Sequence, residues 1–151
     1  MTLKVAVVGT GKVAHNYLAA IVQHKDISLS YYNRNRDKAA AVAQQYGGRV
    51  ADSLAELMAD APDTVLVLTN ETSRYAVAEE LLTFHPKRLF FEKPLVAQQG
   101  QAAVSEEDFR LAKTLLQRAQ AAGTETAMVF NYRFFDQTIQ ARELIQTHNL
   151  G

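Results

Sequence analysis

Two short segments of this 151-residue chain carry residue types whose spacing could do chemistry. The first is Gly9-Thr10-Gly11-Lys12-Val13-Ala14, with the spacing G-x-G-x-x-A. Placed between a strand and a helix, its first glycine permits a tight turn and its second lets the backbone approach a pyrophosphate. Ala14 lets the helix pack close to the sheet, and the helix start offers free N–H groups and the positive end of its dipole. Gly9, Thr10, Gly11, Lys12 and Val13 are therefore candidate cofactor-binding residues. A methyltransferase using S-adenosylmethionine is the main mimic of such a loop.

The second segment is Glu92-Lys93-Pro94, directly after the apolar run Leu89-Phe90-Phe91. A charged pair is a costly neighbour for a core, because each ion must be desolvated. Proline also removes a backbone donor. At the carboxyl end of a parallel strand, where ligands bind in open α/β sheets, the same residues become useful.

The elements that must position these segments can be read from periodicity. Strands are expected at residues 4–8, 27–32, around Val50, and at 64–68, 88–91 and 126–130. Helices are expected at 11–24, 37–46, from 53, and at 72–84, 105–122 and 136–148. Asp37 is the expected cap of the second helix, Gly47-Gly48 its stop, and Ser53-Leu54-Ala55-Glu56 a capping box for the third. Gln98-Gly100-Gln101 reads as a slightly long loop. Strands alternating with helices imply a parallel sheet covered on both faces. Six strands match a single doubly wound α/β domain of the Rossmann type, with strand order 3-2-1-4-5-6.

Bulk composition narrows the function. Lys+Arg and Asp+Glu both number 16, so the formal net charge is zero, which argues against a nucleic-acid or membrane-surface binder. There are no cysteines, which removes disulfides and Cys-based zinc sites and fits a reducing cytoplasm. No His/Asp/Glu cluster has metal-ligand spacing, so no metal is expected. The partner expected is a small molecule.

Beyond the second strand the chain reads Tyr32-Asn33-Arg34-Asn35-Arg36, with no acid before Asp37. An NAD site usually places Asp or Glu there to accept from the ribose 2′-OH. Arg34 and Arg36 could instead pair with a 2′-phosphate, which favours NADP over NAD. Solvated surface arginines are the alternative.

Taken together, these pieces resemble the glucose-fructose oxidoreductase / inositol dehydrogenase (Gfo/Idh/MocA) family. The resemblance is carried by the glycine loop, Asn33-Arg34, Phe91-Glu92-Lys93-Pro94-Leu95 and Phe130-Asn131-Tyr132-Arg133-Phe134, which cover essentially the whole chain. It implies that Lys93 is catalytic, lying between nicotinamide and substrate, while Glu92 holds neighbouring groups and Pro94 sets a turn with a cis Lys93-Pro94 bond. A surface ion pair is the alternative role for Glu92. Asn33, Thr69 and Asn70 join the implied cofactor contacts. Arg133 is a candidate substrate contact, with an ion pair to the last helix as its alternative. Phe130, Tyr132, Phe134 and Phe135 are expected to pack, and His15 to pack or lie at the surface.

The chain departs from the family pattern after the fourth strand. Relatives resemble T-P-N-x-x-H there, whereas this chain has Thr69-Asn70-Glu71-Thr72-Ser73-Arg74. The departure puts substrate class and cofactor geometry in question. The resemblance further implies a second domain of about 150–200 residues, supplying acid/base groups, most of the substrate pocket and a homo-oligomer surface. Leu150-Gly151 is about where that domain should begin, so the expectation is a cofactor domain that is inactive alone. The parent is expected to be an NAD(P)-dependent oxidoreductase moving hydride to or from a carbonyl or hydroxyl carbon of a sugar- or polyol-like substrate. A non-catalytic NAD(P)-binding sensor or regulator is the other reading.

Overall fold

The short apolar runs become six parallel strands. In the computed structural model, which describes residues 2–149, they are β1 (Leu3–Val8), β2 (Ile27–Tyr32), β3 (Arg49–Val50), β4 (Thr64–Val67), β5 (Arg88–Phe91) and β6 (Glu125–Met128). Met1 and the expected domain boundary at Leu150-Gly151 lie outside the described residues. The sheet order is β3-β2-β1-β4-β5-β6, as expected from the alternation. Every pairing is parallel, with Val8 opposite Tyr32 and Val67 opposite Phe91, so the exits of β1, β2, β4 and β5 align along one edge.

The helices are α1 (Lys12–Ile21), α2 (Arg36–Tyr46), α3 (Leu54–Ala59), α4 (Glu71–Leu82), α5 (Glu106–Ala121) and α6 (Asp136–His148). Strand alternation divides the core. Ala6, Val8, Val65, Val67, Leu89 and Phe91 face α3, α4 and α5. Val5, Val7 and Leu66 face α1 and α2 on the other side, with Leu18, Ala39 and Val42. Complete burial of Leu18 alone contributes about 1.5–3 kcal/mol of transfer free energy.

Local details differ from expectation at the helix starts. The cap of α2 is Asn35, not Asp37: Asn35 Oδ1 accepts from Asp37 N at 3.0 Å and Lys38 N at 3.3 Å. An amide oxygen two positions earlier reaches two free donors, which leaves Asp37 inside the first turn. At α3 only half of the capping box forms. Ser53 Oγ accepts from Glu56 N, but Glu56 Oε2 reaches past Ser53 to Asp52 N at 2.7 Å. The loop around Gln98-Gly100-Gln101 contains a short 3-10 turn, Gln101–Ala103. Downstream, Ser105 and Asp108 form a full capping box on α5, and Asp108 also accepts from Gln98 N.

The largest difference lies after β6. Phe130, Tyr132, Phe134 and Phe135 were expected to pack, yet they are 47%, 76%, 78% and 49% exposed. Tyr132 and Phe134 lie in a 3-10 turn, Asn131–Phe134, while Phe130 precedes that turn and Phe135 precedes α6. No residue of α6 is buried and β6 is itself largely exposed, and of the four aromatics Tyr132 and Phe135 meet each other edge-on with ring centroids 5.0 Å apart.

Candidate functional site

The aligned strand exits bring the two chemical segments to one edge. Gly9 follows β1 with φ +95, and its N–H donates to Tyr32 O at 2.9 Å. A Cβ here would stand 2.7 Å from Thr69 N, so only glycine lets the loops after β1 and β4 touch. At Gly11 a Cβ would meet nothing within 4 Å. That face of the turn is therefore open to a ligand's approach. Gly11 caps α1 without a side-chain bond, and fully buried Ala14 brings the helix onto the sheet.

Asn33 ties this turn to the exit of β2. Its Nδ2 donates to Thr10 Oγ1 at 2.8 Å, and its Oδ1 accepts from Asn35 N at 3.0 Å. A cavity of about 200 Å³ lies between the two loops, lined by Gly9, Gly11, Asn33, Arg34, Lys38 and Thr69 among others. The two arginines expected near a 2′-phosphate part company here. Arg34 lines the cavity, whereas Arg36 turns outward and Nε donates to Asp52 Oδ1 at 2.5 Å. Lys38, on the first turn of α2, lines the cavity instead.

A second cavity of about 550 Å³ continues past Leu68, Thr69 and Asn70, which line both. Its wall includes Val13, Tyr17, Arg74, Glu92, Lys93, Gln101 and Asn131. The Lys93-Pro94 bond is cis, and Lys93 is exposed and makes no ion pair among the described residues. Glu92 makes no surface ion pair either. Its Oε1 accepts from Tyr17 OH at 2.5 Å and its Oε2 from Lys93 N at 3.1 Å. Burial first, then this bond to a carboxylate, pushes the Tyr17 phenol above its ordinary pKa and keeps it a donor. Arg133 lines neither cavity, is exposed, and has no ion pair with α6 among the described residues. Lys12 is exposed at the first position of α1.

Arg74, Tyr17 and Lys38 were not singled out as site residues from sequence. Arg74 had a legible signal. It stands four, seven and eight positions before Ala78, Leu81 and Leu82, on the buried stripe of α4. In the structure it is 3% exposed, and its guanidinium donates to Thr69 O at 2.6 Å, Glu92 O at 2.8 Å and Pro94 O. Burial lowers its pKa, opposed by the nearby Glu92 and Glu71 carboxylates. His15 packs on Tyr46, with Nδ1 3.1 Å from the phenol oxygen.

The arrangement fits a dinucleotide laid across the sheet edge. Thr69 Oγ1, where the cavities meet, is buried and has no hydrogen-bond partner among the described residues. A buried hydroxyl left unmatched is costly, and a ribose or amide group would satisfy it. The cavities together run from Arg34 and Lys38 at one end to Lys93 at the other. Among the described residues no group of three or more His, Asp or Glu could hold a metal ion, and no helix is long and apolar enough to cross a membrane.

Comparison with known proteins bears on this geometry. A family model described as an oxidoreductase family with an NAD-binding Rossmann fold (GFO_IDH_MocA) matches residues 3–130. No curated protein matches. Among solved structures, GenD2 from gentamicin A biosynthesis in complex with NAD is 25% identical, with a TM-score of 0.80 over 95% of this chain and 38% of its own. UDP-N-acetylglucosamine 3-dehydrogenase GnnA from Acidithiobacillus ferrooxidans is 21% identical, with a TM-score of 0.79 over 95% of this chain and 42% of its own. Biliverdin reductase from Synechocystis sp. PCC 6803, with biliverdin and NADP+, is 22% identical, with a TM-score of 0.75 over 95% and 43%. The chain thus spans about two fifths of the length of these structures.

Proposed function

The chain belongs to the Gfo/Idh/MocA oxidoreductase family, whose NAD-binding domain has the Rossmann fold, and on that premise we propose that it is the cofactor-binding half of an NAD(P)-dependent oxidoreductase. The reaction is hydride transfer to or from a carbonyl or hydroxyl carbon of a small sugar- or polyol-like substrate. The observation that carries this reading is the cleft formed by two cavities meeting at Thr69, with Lys93 on its far wall. When bound, the nicotinamide ring supplies the hydride donor or acceptor.

This chain's own residues then have separable tasks. The N–H groups at the start of α1, beside the open face of Gly11, hold the pyrophosphate. Thr69 and Asn70 meet the ribose or amide at the centre of the cleft. Arg34, with Lys38, favours a 2′-phosphate, since no acid lines that cavity to accept from a 2′-OH. Lys93 stabilises the negative charge that develops on a substrate oxygen, and Glu92 fixes the lysine's backbone through Lys93 N. The GenD2 structure, which holds NAD, supports a nicotinamide cofactor, and the UDP-N-acetylglucosamine dehydrogenase action named for GnnA is in keeping with a sugar-like substrate class.

Titration of the chain with NADPH and NADH, followed by nicotinamide fluorescence, tests the reading. Saturable binding with NADPH the tighter ligand is expected. Absence of binding to either overturns the cofactor role, and clearly tighter NADH binding overturns the NADP assignment. Turnover of sugars by the chain alone at ordinary enzyme rates would show that the substrate pocket needs no further domain.

A further inference from the structure

We propose that Arg74 is a positioning residue, whose guanidinium fastens the loop after β4 to the loop after β5 and so fixes Lys93 on the cavity wall. The proposal rests on the cofactor reading above. Arg74 occupies a position where the Ala78-Leu81-Leu82 stripe of α4 would continue with an apolar side chain. It is instead a guanidinium, 3% exposed, with no carboxylate in ion-pair contact among the described residues. Burying that charge is costly unless its donors are used. Nη1 and Nη2 are used on main-chain oxygens of both loops, Nη2 on Thr69 O at 2.6 Å and Nη1 on Glu92 O at 2.8 Å and on Pro94 O, while Nε has no partner among the described residues. Glu92 and Pro94 are the two neighbours of Lys93, so the fork grips the chain on either side of the lysine. Thr69 carries the unpartnered hydroxyl at the junction of the cavities. The planar five-donor guanidinium can span acceptors in two loops, whereas a lysine ammonium is a single point.

The test separates the two halves of the cleft. Wild-type chain and Arg74→Lys are titrated with NADPH and with 2′-phospho-ADP-ribose, which lacks the nicotinamide. Because the loosened loop carries Thr69 away from the cofactor, the variant is expected to bind NADPH about tenfold more weakly, with 2′-phospho-ADP-ribose changed by less than about twofold. Equal weakening of both ligands, as from general destabilisation, or no change in either, overturns the assignment of Arg74. If wild-type chain binds neither ligand, the cofactor reading falls and the proposal falls with it. Should Arg74→Lys not fold, amide hydrogen exchange of the wild-type chain decides. NADPH is expected to protect residues 69–71 and 92–95 together, and protection of one loop without the other overturns the proposal.

Discussion

Tyr17 donates its phenol hydrogen to Glu92 Oε1 at 2.5 Å across 75 positions of sequence. This one bond joins the second turn of α1 to the exit of β5, so two walls of the larger cavity share a mechanical link. Tyr17 also meets Phe90 edge-on, with ring centroids 6.4 Å apart. The ring thus rests on the sheet while its hydroxyl reaches the loop. Removing the hydroxyl alone, in Tyr17→Phe, should lower unfolding free energy by about 1.5–3 kcal/mol, the range for a bond to a charged acceptor. Urea denaturation with an unchanged m value would register it.

Lys93→Met keeps the length of the side chain and removes its charge. NADPH affinity should stay within about threefold of wild type, since the oxygen assigned to Lys93 belongs to the substrate and not to the cofactor. In the oxidoreductase reaction kcat should fall by about 10²–10³-fold, as for loss of one group aimed at a developing oxyanion. Steady-state kinetics that show a rise in KM with kcat unchanged would remove Lys93 from the chemistry.

The three cations near the expected 2′-phosphate should not be equivalent. Arg34→Ala and Lys38→Ala should each weaken NADPH by about tenfold and leave NADH nearly unchanged. Arg36 is engaged with Asp52 at the surface, so Arg36→Ala should shift either ligand by less than about threefold. Parallel isothermal titrations of the three variants give the comparison directly.

Gly9 and Gly11 should fail in different ways. Gly9→Ala sets a Cβ against the backbone at Thr69 in a left-handed conformation, and should destabilise the fold by about 1–3 kcal/mol. Gly11→Ala meets no atom of the protein, so its melting temperature should hold while dinucleotide affinity falls. Thermal denaturation paired with NADPH titration distinguishes the two.

Acid should reveal Asp108. The N–H groups of Gln98 and Ser105 hold its carboxyl below the usual carboxylate range. A depressed folded pKa means that its contribution is fully present above the unfolded pKa of about 3.9 and is lost as pH falls through the folded value. Wild-type stability should therefore drop more steeply than that of Asp108→Asn below about pH 5. Denaturant midpoints measured down the acid range would show the two curves converging.

The sheet order, the glycine turn between β1 and α1 and the exit of β5 were legible because each leaves a local signature: alternation of apolar runs with helical stripes, a glycine spacing, and a charged pair at the end of a hydrophobic run. What escaped was set by partners distant in sequence. Arg36 looked equivalent to Arg34 until Asp52, sixteen positions later, claimed it. Arg74 stood on the apolar stripe of the expected helix at 72–84, but nothing local announces three carbonyls from two other segments. The aromatics after β6 have the composition of a core, but burial depends on a covering surface, which composition does not report. Lys38 escaped because its role depends on where α2 begins, and that depended on Asn35 rather than Asp37.

All three acceptors of Arg74 are main-chain oxygens. Thr69, Glu92 and Pro94 can therefore change side chain without removing a single acceptor from the fork. The constraint falls on one position only. Among relatives that keep this geometry, residue 74 should drift slowly and show no paired substitution with 69, 92 or 94. A method that infers contact from correlated change would pass over the bond network that holds these two loops together.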